Sequence, residues 1–180
     1  MLPERSQIQA VKELCKIITK QMNSIHEIIT SSQKTLDITT NVDVTSTQHV
    51  LVCALLELGN LVSSLTSSLK SCLNDTIIEA VFSTLIHPLP AVKLSAAWCV
   101  RYCAVALPSN ITFLLDSCLK KINSLKSSAE AVTGYGYTIA AIIGGLHNCP
   151  LGIPNGKARV SSKIYIYFNV ATLCQLQYTM

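Results

Sequence analysis

The sequence predicts an all-α fold in which about three antiparallel helix pairs stack into an α-solenoid, followed by an irregular C-terminal tail. Two observations carry this prediction. Over most of residues 5–146, apolar side chains recur at steps of three and four, which is the period of a helix face. The helical pattern also repeats after about 42 residues, the period of stacked helix pairs. We therefore expect one solenoid segment over residues 1–156 and a divergent helix or tail over residues 157–180.

The composition is apolar for a soluble domain, with 49% hydrophobic and 13% charged residues. A membrane-spanning helix needs about 20 mostly apolar residues. The longest apolar runs, residues 50–56 and 138–146, are interrupted by Glu57 and by residues 147–150, so we expect no transmembrane helix. The N-terminal residues carry charges within their apolar pattern, and no secretory signal is predicted there. The composition instead indicates a segment whose ends are covered by neighbouring helices.

Residues 5–30 predict a long amphipathic helix, because their apolar side chains keep a heptad-like spacing while charged side chains occupy the other side. The spaced positions are Ile8, Val11, Cys15, Ile18, Met22, Ile25 and Ile29. The stripe is wider than the seam of a coiled coil, which disfavours that alternative. Residues 31–47 are rich in Ser, Thr, Asp and Asn without apolar periodicity, and we expect a loop there.

Further helices are predicted over residues 48–65, 75–86, 111–125 and 129–146 from the same periodicity. Asn110 is the expected N-cap of the third of these, and Ser127 or Ser128 that of the fourth. The expected buried positions are Val52, Leu55, Leu58 (or Leu56), Val62, Ile78, Val81, Phe82, Leu85, Leu114 (or Leu115), Cys118, Ile122 and Leu125.

The stretch 87–108 predicts a tight turn and one helix, with Pro90 in its first turn and Pro108 at its end. One face carries Val92, Ala96, Cys99, Cys103 and Ala106, and Leu94, Trp98 and Val105 are expected to widen it. Several alanines allow a neighbouring helix to approach closely. A helix with so much apolar surface must be covered on two sides, which is the situation of an inner helix in a stacked array.

The repeat identifies the type of array. A shift of about 42 residues superposes the apolar positions of residues 50–58 on those of residues 92–100, and a second shift brings Pro108 onto Pro150. A helix-pair repeat of about 40–47 residues is typical of HEAT and armadillo arrays. The turn at residues 87–90, followed by Val-Lys and then Ala-Ala, is the usual pattern of a HEAT inner helix. The predicted fold is therefore a HEAT-type α-solenoid.

Three stretches resemble the HEAT repeat-containing protein 5 family. They are STQHVLVCALLELG at residues 46–59, LSAAWCVR at 94–101, and EAVTGY at 130–135 together with GGLHNCPLGIP at 144–154, which is the most specific. The resemblance covers roughly residues 8–159, after which the chain departs from the family's helical pattern. Members of that family are very large solenoids, of which this chain would be a small segment.

The resemblance implies a cytosolic accessory factor of clathrin adaptors rather than an enzyme. It implies partners in the clathrin adaptor complex, aftiphilin and gamma-synergin. It also implies a cytoplasmic location with recruitment to trans-Golgi network and endosomal vesicles, in contact with membranes only indirectly. No catalytic, cofactor-binding or metal-binding residues follow from it.

The residues themselves give little support to bond chemistry. The glycines at 134, 136, 144 and 145 do not form a phosphate-binding fingerprint, so we interpret them as packing or capping residues. His147 and Cys149 lack further ligands at zinc-site spacing. The eight cysteines are expected to be free thiols in the core, because nearly all lie in apolar helical patterns. The net charge of +4 is scattered, so no nucleic-acid partner is expected.

Trp98, Arg101 and Lys93 are the candidate partner-binding residues, since they lie on the inner helix and Trp and Arg are enriched in binding hot spots. The alternative is that Trp98 is core and Arg101 a solvated edge. Two other functions stay open: a spacer of a longer array without a partner site, and a small helical enzyme. The uncapped ends of the array also predict self-association.

Overall fold

The computed structural model describes residues 3–31 and 42–146, and every regular element within them is helical. This confirms the predicted all-α class. The turn predicted at residues 147–156, the tail at 157–180 and both Cys149 and Cys174 lie outside the described residues. The helices are α1 (Glu4–Ser31), α2 (Val42–Ser64), α3 (Ser67–Thr84), α4 (Pro90–Ala106), α5 (Ile111–Ser124) and α6 (Ala129–Gly145), with a short 3₁₀ turn at Pro108–Asn110 before α5.

Two helices begin earlier than predicted. Helix α2 starts at Val42, so the loop expected over residues 31–47 is wrong for its last part, and residues 32–41 are not described. Helix α3 starts at Ser67 rather than at residue 75. Its first turns contain three serines and Asn74, which are weaker helix formers. Leu69, Leu73 and Ile77 are nevertheless buried one turn apart and anchor this part of the helix.

The cap predictions differ in their outcome. The hydroxyl of Ser128 accepts a hydrogen bond from the backbone N–H of Ala131 at 3.2 Å, so the predicted cap of α6 is confirmed. Asn110 makes no side-chain cap bond, because it lies in the 3₁₀ turn with helical backbone angles rather than in the extended conformation of an N-cap.

Most of the core positions predicted for α2, α3 and α5 are buried, with three exceptions. Val52 and Phe82 are only partly buried, although both pack against the core. Leu125 was expected in the core, but it follows the last residue of α5 and is 37% exposed. The helical period therefore predicted the buried side of each helix more reliably than its edges.

Helix α4 is the centre of the packing. It lies against α2 and α6 and also contacts α3, while α1 packs on both α2 and α3, and α5 packs on α6. The expectation that this helix is covered on two sides is therefore confirmed. Its buried positions include the alanines at 96, 97 and 104, whose small side chains allow this close approach.

The buried side of α4 is turned around the helix relative to the prediction, because it also includes Lys93, Ala97, Val100 and Ala104. Val92, Ala96, Cys99 and Cys103 are buried as expected. Leu94 and Trp98 were expected to widen that face, but they are 44% and 46% exposed. Both neighbouring helices pack against the alanine, valine and cysteine surface, and this leaves the larger side chains in solvent.

The backbone of α6 approaches the end of α3 closely at Gly134. A Cβ atom placed on Gly134 would lie 1.8 Å from the carbonyl oxygen of Leu85. The interpretation of the α6 glycines as packing residues thus holds at Gly134 and also at Gly145, which touches Arg101 of α4. It does not hold at Gly136 and Gly144, where a Cβ would have no neighbour within 4 Å.

The turn between α3 and α4 is organised by His87, which is fully buried. Its Nδ1 accepts a hydrogen bond from the backbone N–H of Leu89 at 3.0 Å, while Nε2 has no partner among the described residues. Burial lowers the pKa of His87 to about 4, and the positive charge of Lys93 acts in the same direction. The imidazole is therefore neutral at physiological pH.

Within the described residues no single helix is long and apolar enough to cross a membrane. The pair formed by α4 and the following segment Pro108–Ser124 reaches that length and composition only jointly, and it is bent by 115°.

We expect Gly134→Ala to destabilise the fold by about 3 kcal/mol or more, because the added methyl group meets a backbone oxygen that cannot rotate away. Gly136→Ala in the same helix is the matched control. Its methyl group enters open space, so it should be neutral or stabilise by up to about 1 kcal/mol through helix propensity. Urea unfolding followed by circular dichroism measures both, and equal effects of the two variants would contradict the close contact.

We expect acidification to weaken the fold through His87. The unfolded chain binds a proton at His87 below pH 6.5, whereas the folded chain binds it only near pH 4. As the pH is lowered from 6.5 towards 4, the free energy of unfolding should therefore fall by up to about 1.4 kcal/mol per pH unit because of this group. Above pH 6.5 His87 is neutral in both states, and none of this stability is lost.

His87→Asn is the control for this effect, because it keeps a hydrogen-bond acceptor two residues before Leu89 and removes the titrating group. Urea unfolding at pH 7 and pH 5, at one protein concentration, should show a smaller loss of stability in the variant than in the parent chain. The same loss in both proteins would mean that His87 is not responsible.

Candidate protein-binding surface on helix α4

The exposed side of α4 forms a stripe along its length, which we call the α4 stripe. It consists of Leu94, Trp98, Arg101, Tyr102 and Val105, spaced three or four residues apart or next to one another. Leu94 and Trp98 are nearly half exposed and the other three are partly buried. Large apolar side chains that remain together at a surface are typical of interaction sites.

Trp98 and Arg101 contact each other within this stripe. The guanidinium carbon of Arg101 lies 4.5 Å from the centre of the Trp98 ring, which is a cation–π arrangement. The ring of Tyr102 lies next to that of Trp98, with 6.4 Å between the two ring centres. The structure thus brings two of the three candidate residues together and adds Tyr102, which we had not predicted.

Two glycines in the neighbouring helices make room for these side chains. A Cβ on Gly145 of α6 would lie 3.0 Å from Cγ of Arg101, and one on Gly59 of α2 would lie 2.8 Å from Cδ2 of Tyr102. The stem of Arg101 and the ring of Tyr102 are therefore held from opposite sides. Tyr102 lies one turn after Trp98 in the sequence, which indicates that both are on the same side of α4. The position of its ring, however, depends on the close approach of Gly59.

The structure does not bring Lys93 to the α4 stripe. Lys93 is only 5% exposed and lies on the other side of the helix from Trp98. Burial lowers the pKa of its ammonium group, and the carboxylate of Glu130 on α6 acts in the opposite direction. Its position predicts a contribution to the packing of α4 near the start of α6 rather than to a contact with a partner.

Four of the eight cysteines are buried free thiols, as predicted: Cys15, Cys99, Cys103 and Cys118. Burial raises the pKa of Cys15 to about 11 and that of Cys118 to about 12. The pKa of Cys99 is also raised, first by its hydrogen bond with Cys103 and then by burial. The thiols of Cys15, Cys99 and Cys118 therefore stay protonated and are poor nucleophiles.

The prediction of core thiols is wrong for Cys53 and Cys72, which are exposed. Both lie on the solvent-exposed side of their helix, where polar residues stand one turn away: His49 and Glu57 beside Cys53, and Ser68 before Cys72. The surrounding sequence is therefore less apolar than that of the buried cysteines. In the part of the chain that the structure describes, no three His, Cys, Asp or Glu side chains are placed to hold a metal ion.

No protein-family model matches this chain, and neither does any solved structure.

We expect the thiols to fall into two classes of reactivity. Under native conditions an excess of iodoacetamide should alkylate Cys53 and Cys72 within minutes to hours, whereas Cys15, Cys99, Cys103 and Cys118 should react only after unfolding in urea. Peptide mass spectrometry identifies the modified positions. Rapid native alkylation of Cys99 or Cys118 would contradict the packing of α4 and α5.

Proposed function

We propose that this chain is a non-enzymatic protein-binding scaffold that uses the α4 stripe to bind a partner. The observation that carries the proposal is the exposure of Trp98 with Arg101 stacked on it. The chain's one tryptophan is kept at the surface although the helix that carries it is otherwise largely buried. Trp, Tyr and Arg are the residues most enriched in binding hot spots, and all three stand together here.

The proposal includes a HEAT-type α-solenoid over residues 1–156. It is supported by the order of the packing, in which α2, α4 and α6 lie next to one another while α1 lies beside α3. Helices two apart in the chain are thus neighbours in the series α2, α4 and α6 and in the pair α1 and α3, as in stacked helix pairs. The repeat of about 42 residues in the sequence relates the same three helices.

The resemblance to the HEAT repeat-containing protein 5 family directs the proposal to a biological role. The chain would act as an accessory factor of clathrin-adaptor-dependent traffic between the trans-Golgi network and endosomes. Its partners would be the clathrin adaptor complex, aftiphilin or gamma-synergin, and it would reach vesicle membranes through them from the cytoplasm. This role rests on the sequence stretches quoted above.

We expect Trp98→Ala and Arg101→Glu to weaken capture of these three partners by the full chain by at least tenfold, which corresponds to a loss of about 1.4 kcal/mol or more. The immobilised chain is incubated with each purified partner, and the bound amount is measured over a range of concentrations. Both substitutions are at the surface, so thermal unfolding should change little.

Two matched variants on α5 control for general effects of the substitutions. Phe113→Ala removes an aromatic side chain that is 61% exposed, and Lys120→Glu reverses an exposed charge. Both should bind as the parent chain does. Binding that is unchanged in all four variants would favour the spacer function, in which the segment has no partner site of its own.

A further inference from the structure

The guanidinium group of Arg101 carries a charge that no other described residue neutralises. Among the described residues, the one ion pair joins Lys16 to Glu13, and Arg101 makes no hydrogen bond. A guanidinium that lies over an aromatic ring uses its flat face there, and its N–H donors remain along its edge. Arg101 therefore presents a positive charge and free hydrogen-bond donors next to the exposed ring of Trp98.

The acidic residues of the neighbouring helices lie in other places. Glu57 of α2 lines the groove between α1 and α2, and Glu79 of α3 lines the groove between α1 and α3. Glu130 is in the first turn of α6, where its carboxylate acts on the ammonium group of Lys93. None of these three carboxylates forms an ion pair with Arg101.

The remaining sequence contains few carboxylates that could complement Arg101. Residues 131–180 contain no Asp or Glu and carry three basic side chains. Residues 32–41, which the structure does not describe, contain one acidic residue, Asp37. Charge complementarity therefore points to a carboxylate that belongs to another molecule.

The apolar part of the surface continues from α4 onto α2. Leu94 and Trp98 are nearly half exposed, and Leu56 of α2 is 45% exposed. Leu56 lies one turn before Gly59, so both are on the same side of α2. Since Gly59 is the residue at which α2 meets Tyr102, Leu56 lies beside the α4 stripe. Uncovered side chains of this size are typical of a surface that a partner covers.

Helix α6 leaves room on the other side of Arg101. A Cβ on Gly145 would lie 3.3 Å from Nε of Arg101, so the backbone of α6 runs directly beside this side chain. The preceding residue, Gly144, is exposed, and a Cβ there would have no neighbour within 4 Å. A bound segment can therefore reach the guanidinium from the α6 side without meeting a large side chain.

We propose that the α4 stripe binds a short peptide segment of its partner in which Asp or Glu stands close to large apolar side chains. The carboxylate pairs with Arg101, and the apolar side chains cover Leu56, Leu94 and Trp98. This inference rests on the protein-binding function proposed above and specifies the chemistry of the partner. A nucleic acid would need further basic side chains, and Arg101 is the one charged residue of the stripe.

Peptide selection tests this chemistry. Random dodecapeptides displayed on phage are selected on the immobilised full chain, on Arg101→Gln and on Lys120→Gln. We expect the parent chain to enrich peptides that combine Asp or Glu with Trp, Phe or Leu, and Arg101→Gln to lose the acidic preference. Lys120→Gln is the matched control, because it removes one positive charge at an exposed position of α5 and should select as the parent chain does.

Three outcomes of the selection would overturn the inference. They are enriched peptides without acidic residues, the same acidic preference on Arg101→Gln as on the parent chain, and no enrichment on the parent chain. Loss of the acidic preference on Lys120→Gln as well would mean that the net charge of the chain, rather than Arg101, attracts the peptides, and this would also overturn it.

Titration with a selected peptide that lacks Trp locates the contact, because Trp98 is the chain's one tryptophan and its fluorescence reports the site. Binding should shift the Trp98 emission to the blue, since it covers a side chain that is 46% exposed. Arg101→Gln should weaken binding about fivefold to tenfold. Replacing Asp and Glu of the peptide by Asn and Gln should cause the same loss on the parent chain and no further loss on Arg101→Gln.

A second altered peptide, in which Ser replaces the apolar residues, should no longer bind. Equal binding of this peptide would mean that the site recognises charge alone. Binding without an emission shift, or independent losses from the protein and peptide substitutions, would place the carboxylate away from Arg101. Each of these results would overturn the inference.

Capture of the purified partners by Trp98→Ala and Arg101→Gln separates this inference from the proposed function. If Trp98→Ala weakens capture and Arg101→Gln does not, the stripe binds its partner without the carboxylate contact, which overturns the inference alone. If neither variant weakens capture, the proposed function fails as well. Weaker capture by both variants, with thermal unfolding unchanged, supports both.

Discussion

The close packing of α4 between α2 and α6 is the constraint on which the rest of this structure depends. Two helices can approach a third from both sides only if its side chains there are small, and alanines at 96, 97 and 104 meet that requirement. The buried thiols of Cys99 and Cys103 fill the remaining space as small apolar groups. Helices α2, α4 and α6 would have to move apart if these positions carried larger residues.

The same packing creates the surface that we propose for binding. Because α2 and α6 take the small-residue sides of α4, the larger residues between them have no helix to cover them. Gly59 and Gly145 then allow the neighbouring backbones to lie against Tyr102 and Arg101, which restricts these two side chains to their positions beside Trp98. A preorganised aromatic and cationic surface loses little side-chain entropy when a partner binds.

The polar groups inside the helices are mostly satisfied locally. The hydroxyl of Thr138 donates to the carbonyl of Gly134, and that of Thr84 donates to the carbonyl of Val81. Such bonds need no partner from another helix, so the contacts between helices remain almost entirely apolar. His87 differs, because its acceptor nitrogen holds the turn before α4 and its other ring nitrogen is left without a described partner.

Periodicity in the sequence by itself determined the helical class, four helices to within a few residues, and the core positions of α1 such as Val11 and Ile18. It missed the first turns of α3, where polar residues mask the buried leucines. It also could not decide that Trp98 is exposed and Lys93 buried. A residue type fixes the free energy of transferring its side chain from water, but which side chains are transferred depends on where α2 and α6 pack, and only the tertiary structure decided that.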